Sequence, residues 1–97
     1  MSTDALLRGY ELHDYSIETV LGTGGFGITY LAHDNKLGTR VAIKEYFPQD
    51  LARRNEQMAI VPISGAAAEM FEWGRGQFLK EAQALAQFKH NNIVRVL

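Results

Sequence analysis

Cysteine is absent from the 97-residue sequence. This absence excludes a disulfide framework, a metal site built on thiolates and a cysteine nucleophile. Histidine is scarce, and His13, His33 and His90 are too far apart to show the spacing of metal ligands. Long apolar runs are also lacking, because no stretch approaches the roughly 20 residues that span a bilayer. We therefore expect no membrane segment in this chain.

The sequence also lacks an excess of positive or negative charge. Ten basic residues face eleven acidic ones, which gives a formal net charge of -1. Because polyanion-binding surfaces need a basic excess, we expect no nucleic-acid partner. The first residues, MSTDALLRGYELHDY, lack the basic start and apolar core of a secretory signal, so the cytoplasm is the expected compartment.

Three segments show the period-two alternation of β-strands. They are residues 15–22 (YSIETVLG), 28–34 (ITYLAHD) and 39–47 (TRVAIKEYF), with a turn at 35–38 and Pro48 after the last. Residues 1–13 carry no clear pattern and are predicted to be a lead-in. Residues 48–66 fit neither a helix nor a strand well. The three strands predict an antiparallel sheet.

A helical period follows from about Glu69 to Phe88, with Phe78 and Leu85 on one face. Gly74 and Gly76 predict a break, since each costs about 1 kcal/mol against alanine in a helix. The last residues, IVRVL, then predict the start of a fourth strand. The fold class expected is α+β, with one partial domain over residues 14–97.

The stretch LGTGGFGIT at residues 21–29 holds four glycines in six positions. A dinucleotide-binding fold would open a helix here, but the β-rich ITYLA follows Gly27. A P-loop needs a lysine directly after its last glycine, and Ile28 stands there instead. Two readings remain: a glycine hairpin whose amides approach phosphate oxygens, or a plain turn between strands.

The strand after this hairpin carries VAIK, residues 41–44, and the helix carries FLKEAQALAQF, residues 78–88. With GTGGFGIT, these motifs resemble the protein kinase family, and bacterial serine/threonine kinases in particular. One departure is Thr29, where the family prefers valine. The resemblance covers about residues 15–97, and residues 48–70 read as an insertion before the family's helix C.

The resemblance implies a small, ATP-binding lobe. Lys44 would neutralise phosphate charge, Glu81 would pair with Lys44 and hold it in position, and Phe26 would cap the phosphates. The other implied ATP contacts lie in the loop and under the sheet: Leu21, Gly22, Thr23, Gly24, Gly25, Gly27, Thr29 and Ala42. The alternatives are a solvated strand lysine, an exposed helix glutamate, and packing roles for Phe71 and Trp73.

The kinase resemblance also shows what this sequence does not contain. It has no His-Arg-Asp, Asp-Phe-Gly or Ala-Pro-Glu motif, so the implied Mg²⁺ ligands lie outside the chain and no residue here is assigned to metal. We expect the chain alone to be inactive, its missing partners being a kinase large lobe and a protein substrate. Two hypotheses stay open: a kinase fragment cut in its fourth strand, or a free-standing binding module that docks with a partner or self-associates.

Overall fold

The computed structural model describes residues 5–88 and 94–96, with side chains as far as residue 81. Seven strands and one helix follow each other along the chain: β1 (Glu11–Leu12), β2 (Tyr15–Thr23), β3 (Gly27–Asp34), β4 (Thr39–Tyr46), β5 (Ala52–Arg54), β6 (Ile60–Pro62), α1 (Gly65–Phe88) and β7 (Val94–Val96). One sheet has the order β1-β2-β3-β4-β7, and β5 and β6 form a separate hairpin.

The three strands predicted from alternation are confirmed as β2, β3 and β4. They pair antiparallel, and β3 alternates regularly between half-buried and buried residues along its whole length. The turn predicted between β3 and β4 is also present. The Asp34 carboxylate accepts hydrogen bonds from the amides of Lys36 (2.9 Å) and Leu37 (3.0 Å), and Gly38 takes a positive φ of 71° that favours glycine.

The strand at the end of the chain runs in a different direction from the rest of the sheet. β7 pairs with β4 in parallel, with Ala42 opposite Val94 and Lys44 opposite Val96. The reason is topological, because α1 crosses over between the two strands and returns the chain in its original direction. The α+β class stands, but the sheet is not antiparallel at this edge.

The segment expected to be a lead-in is part of the fold. Residues 11–12 pair with β2, and Leu6 is buried in the core. The amide of Leu6 donates a hydrogen bond of 3.0 Å to the Tyr30 hydroxyl, which anchors this segment on the sheet. The pattern was missed because one buried leucine and a two-residue strand are too short to show a period.

The segment that fitted neither pattern, residues 48–66, contains the β5–β6 hairpin. The Asn55 side chain accepts hydrogen bonds from the amides of Gln57 (2.9 Å) and Ala59 (3.0 Å) and so shapes its loop. Arg54 points back to the main sheet and forms a two-pronged ion pair with Glu45 at 2.7 and 2.9 Å. The insertion is therefore fastened to the strand that carries the predicted lysine.

Helix α1 is continuous from Gly65 to Phe88, so the break predicted at Gly74 and Gly76 is wrong. Ser64 caps its start, because the Ser64 hydroxyl accepts from the amide of Ala67 at 3.1 Å. Gly74 has a packing reason: a Cβ there would lie 2.5 Å from the hydroxyl of Tyr46. The glycine marks a close approach of strand and helix and not a helix end.

The two faces of the sheet have different environments. One face carries most of the core, where the buried side chains include Ile17, Ile28, Tyr30, Ile43 and Phe47. The opposite face of β4 carries Ala42, Lys44 and Tyr46, since alternate residues of a strand point to the same side, and Tyr46 is also buried as part of the core cluster. In the part of the chain that the structure describes, no helix is both long and apolar enough to cross a membrane.

Candidate functional site

The glycine-rich loop is the turn of the β2–β3 hairpin. It is closed by a hydrogen bond of 2.9 Å from the Gly24 amide to the Gly27 carbonyl. Gly27 has no room for a side chain, because a Cβ would collide with the carbonyl oxygen of Glu45 on β4. The Cβ positions of Gly22, Gly24 and Gly25 instead face open space. One glycine therefore serves packing, and three leave the backbone accessible.

The loop is braced from the segment after β4. The Gln49 side chain donates to the Gly24 carbonyl at 3.2 Å, and the Gln49 amide donates to the Gly25 carbonyl at 3.2 Å. The Phe47 amide donates to the Phe26 carbonyl at 2.9 Å. These bonds occupy the loop carbonyls. Within residues 5–88 and 94–96, the amides of Gly25 and Phe26 donate to no protein acceptor, and such amides suit an anion.

A row of aligned residues connects the loop to β4. Gly22 lies opposite Thr29, and Thr29 lies opposite Lys44. Residues directly opposite each other in a sheet project to the same side, so Thr29 and Lys44 share the face below the loop. Thr29 is half-buried, so water or a ligand can reach its hydroxyl and satisfy its hydrogen bonds.

A cavity of about 650 Å³ lies between the loop, β4 and helix α1. It brings together the glycine loop, Lys44 and Glu81. Lys44 and Glu81 are 37 residues apart in the sequence. Its walls include nine of the predicted site residues: Gly22, Thr23, Gly24, Gly25, Phe26, Gly27, Thr29, Lys44 and Glu81. The volume is in the range of cavities that bind small molecules.

Two predicted contacts lie outside this cavity. Leu21 and Ala42 do not line it, although Ala42 shares the face of Lys44. Leu21 is exposed, as is Phe26 at the loop tip, which has 73% of its surface accessible.

The helix supplies wall residues that the sequence did not reveal. Trp73, Gly74, Gln77 and Phe78 line the cavity, together with Ile28 from β3. Phe71 packs in the core as predicted, but the packing role expected for Trp73 is wrong, because 65% of its surface is accessible. Only the placement of α1 decides which helix face meets the loop, and no local motif encodes that placement.

The predicted ion pair between Lys44 and Glu81 is not formed. Both side chains reach the same cavity, yet no ion pair within 4.0 Å joins them among the described residues, whose four ion pairs all involve other side chains. Glu81 is exposed, and an exposed pair gains only about 0 to 1 kcal/mol. The free energy gained by forming a Lys44–Glu81 ion pair in this solvent-accessible cavity would therefore be small.

The Tyr46 hydroxyl, between β4 and α1, is held in its neutral form. Burial raises the pKa of the Tyr46 hydroxyl above its usual value, and the nearby Glu72 carboxylate raises it further. The neutral hydroxyl donates a hydrogen bond of 2.8 Å to the Phe71 carbonyl on α1. In the ranges that the structure describes, no group of three acidic or histidine side chains could hold a metal ion.

The cavity is lined by backbone amides and a lysine, which are suited to bind an anion. Accessible loop amides and the Lys44 ammonium group converge on one cavity, with an aromatic wall beside them. Backbone amides and a lysine are the donors that phosphate groups take in proteins.

A glycine hairpin, a strand lysine and a helix glutamate around one cavity, beside a largely antiparallel sheet, are similar to the small lobe of a protein kinase. Comparisons with known proteins support this class. The chain is 28% identical to an Aurora kinase from Yarrowia lipolytica (strain CLIB 122 / E 150) over 89 residues, which are 92% of this chain and 19% of that protein. No protein-family model matches the chain.

A solved structure gives the closer comparison of the fold. The apo form of PpkA-294 superposes with a TM-score of 0.82 and 38% sequence identity, over 88% of this chain and 30% of that one. The resemblance to the amino-terminal lobe of a protein kinase is thereby confirmed. The chain spans about a fifth of the Aurora kinase and less than a third of the PpkA-294 chain.

Proposed function

We propose that this chain is the ATP-binding small lobe of a serine/threonine protein kinase, which transfers the γ-phosphate of ATP to protein hydroxyl groups. The observation that carries the proposal is the single cavity shared by the glycine loop, Lys44 and Glu81. In this role the loop covers the phosphates, Lys44 neutralises their charge, and Glu81 positions Lys44.

The contacts around the loop support this role. The carbonyls of Gly24, Gly25 and Phe26 are held by Gln49 and Phe47, which leaves the amide side of the loop for phosphate oxygens. Thr29 and Lys44 lie in one row beneath it. Because phosphoryl transfer depends on positioning and electrostatic stabilisation, a lobe that only orients ATP contributes a defined part of the reaction.

The remaining parts of the reaction are proposed to come from a large lobe. Mg²⁺ supplies charge neutralisation between the phosphates in protein kinases, and we propose that the residues that hold it belong to the large lobe. We therefore propose that the chain alone does not phosphorylate protein, and that activity needs a large lobe and a protein substrate. The cytoplasm is the compartment in which we propose that it works.

A titration with ATP tests the binding role. We expect weak binding, with a Kd near 1 mM or about -4 kcal/mol, because the proposed site offers contacts from one lobe alone. Lys44→Met should abolish the heat signal in calorimetry. Lys36→Met is the matched control, since Lys36 is exposed in the turn after β3 and pairs with Asp14 at 3.7 Å, away from the cavity. Equal binding by both variants would overturn the role of Lys44.

A second function, a free-standing module that docks with another protein, is favoured by one observation. Two large aromatic side chains that line the cavity, Phe26 and Trp73, are exposed, with 73% and 65% of their surfaces accessible. Exposed apolar surface on a small domain indicates a place that another protein covers. Sedimentation of the chain at rising concentration tests self-association, which Trp73→Ser should weaken. A monomer at every concentration would contradict self-association.

A further inference from the structure

Tyr46 on β4 approaches α1 closely at Gly74. A Cβ at Gly74 would lie 2.5 Å from the Tyr46 hydroxyl oxygen and 3.5 Å from the ring carbon that carries it. The hydroxyl also donates to the Phe71 carbonyl at 2.8 Å. The hydroxyl thus sits in a notch on the helix that only a glycine leaves open.

The ring of Tyr46 is held on both sides of this notch. It packs against Phe71 with ring centroids 5.2 Å apart and against Phe78 with centroids 5.3 Å apart, both at tilted angles. Tyr46 is buried, and Phe71 and Phe78 lie three residues before and four residues after Gly74 on the same helix face. The contact therefore fixes the distance between strand and helix as well as the rotation of the helix.

The same two elements carry the two charges of the cavity. Tyr46 follows Lys44 by two residues and projects to the same side of β4. Gly74 precedes Glu81 by seven residues, two helical turns or about 10 Å along the axis, and returns to the same face. Gly74 and Phe78 also line the cavity themselves. A change in the notch is therefore transmitted directly to the wall that bears Glu81.

We propose that Tyr46 and Gly74 are positioning residues, which set the height of α1 above β4 and thereby the separation of Lys44 from Glu81. The proposal rests on the proposed ATP-binding function for its consequence on affinity, but not for its consequence on geometry. We expect Gly74→Ala to open the contact by about 1 Å, since its Cβ would otherwise lie 2.5 Å from the hydroxyl oxygen and the Tyr46 ring is held by its contacts with Phe71 and Phe78.

The test is a double-mutant cycle on the complete 97-residue chain. The variants are Gly74→Ala, Tyr46→Phe and the two combined. Tyr46→Phe removes the oxygen that the new methyl group would meet and leaves the ring carbon at 3.5 Å, an ordinary contact. Gly76→Ala is the matched control, because it adds the same methyl group two residues along the helix with nothing within 4 Å.

Two readouts separate this inference from the ATP-binding role. The first is the distance between spin labels at Thr39→Cys and Lys80→Cys, two exposed sites in a chain without cysteine. We expect Gly74→Ala to lengthen it by about 1 Å or more, and the combined variant to restore it. The second is the ATP affinity, which Gly74→Ala should lower about tenfold and the combined variant should recover to that of Tyr46→Phe.

Rescue by Tyr46→Phe is the result that a general loss of stability would not give. The proposal is overturned if Gly74→Ala behaves like Gly76→Ala in the spin-label distance, or if Tyr46→Phe fails to restore the distance in the combined variant. It is also overturned if the distance changes while the ATP affinity of a binding wild type does not. A wild type without ATP binding would overturn the proposed function alone, and the distances would still decide the positioning role.

Discussion

The ion pair between Arg54 and Glu45 makes the sharpest stability prediction. It fastens the β5–β6 hairpin to β4, and the two side chains are only 6% and 7% exposed. Arg54 donates twice to the Glu45 carboxylate and once to the Met58 carbonyl at 2.9 Å. The guanidinium group also lies 5.6 Å from the centre of the Phe47 ring. Arg54→Met removes all of these contacts and keeps an apolar side chain.

The cost of this substitution comes mainly from the carboxylate that is left behind. Glu45 would keep only the hydrogen bond from the Tyr30 hydroxyl, at 2.8 Å, in a buried site. Removing one partner of a buried ion pair typically costs about 3 to 5 kcal/mol. A domain of this size has a free energy of unfolding of about 5 to 15 kcal/mol. The midpoint of thermal unfolding should therefore fall by more than about 10 °C.

Thermal and urea unfolding followed by circular dichroism measure this effect. Arg53→Met is the matched control, because Arg53 is the neighbouring arginine on the exposed side of β5, and its removal should change stability by less than about 0.5 kcal/mol. Adding Glu45→Gln to Arg54→Met should recover part of the loss, since the charge without a partner is gone. Equal stability of the Arg53 and Arg54 variants would refute the reasoning.

Two further predictions concern Tyr30 on β3 and Gln49, which follows β4. Burial raises the pKa of Tyr30 well above its ordinary value of 10.0, so the neutral hydroxyl stabilises the fold below pH about 10, and this stability is lost as the pH rises toward the raised pKa. The slope should be about 1.4 kcal/mol per pH unit, and Tyr30→Phe should flatten it in alkaline unfolding experiments; an unchanged slope would contradict the assignment. Gln49→Ala should speed hydrogen exchange at the Gly24 amide, which closes the loop on the Gly27 carbonyl, because it removes the side-chain bond to the Gly24 carbonyl, with little change in stability. The exposed Gln57→Ala is its control, and equal exchange in both variants would show that Gln49 does not brace the loop.

The central part of the fold could be predicted from the sequence because its signals are local. Strands β2, β3 and β4 follow from alternation, and the turn at Asp34 follows from its own side chain and Gly38. The course of α1 through Gly74 could not be predicted. Helix propensity describes the glycine as a weakness, whereas its cause is the hydroxyl of Tyr46, 28 residues earlier in the chain.

The candidate site divides in the same way. The glycine loop, Lys44 and Glu81 were identified because they belong to motifs, and the cavity brings them together. Trp73 and Gln77 were missed because their positions depend on where α1 meets the loop. The pairing of Lys44 with Glu81 was expected from the resemblance alone, and the structure has the two side chains in one cavity without an ion pair.

Residues 44–49 connect the site to most of the elements around it. Lys44 faces the cavity, Glu45 holds the hairpin, Tyr46 meets the helix, and Phe47 and Gln49 brace the glycine loop. Together these residues connect the end of β4 to the hairpin, the helix and the glycine loop. Substitutions in this segment should therefore change the cavity more than equally buried substitutions in β2.

The central claim is that ATP binds in the cavity beneath the glycine loop. A titration of the isotopically labelled chain with ATP and Mg²⁺, followed by two-dimensional amide NMR, tests it most directly because the method detects weak binding and locates it. The account predicts saturable shifts at the amides of Gly22, Gly25 and Phe26 and at the Trp73 indole, all lost in Lys44→Met. No shifts at millimolar ATP, or shifts confined to the core face of the sheet, would contradict it.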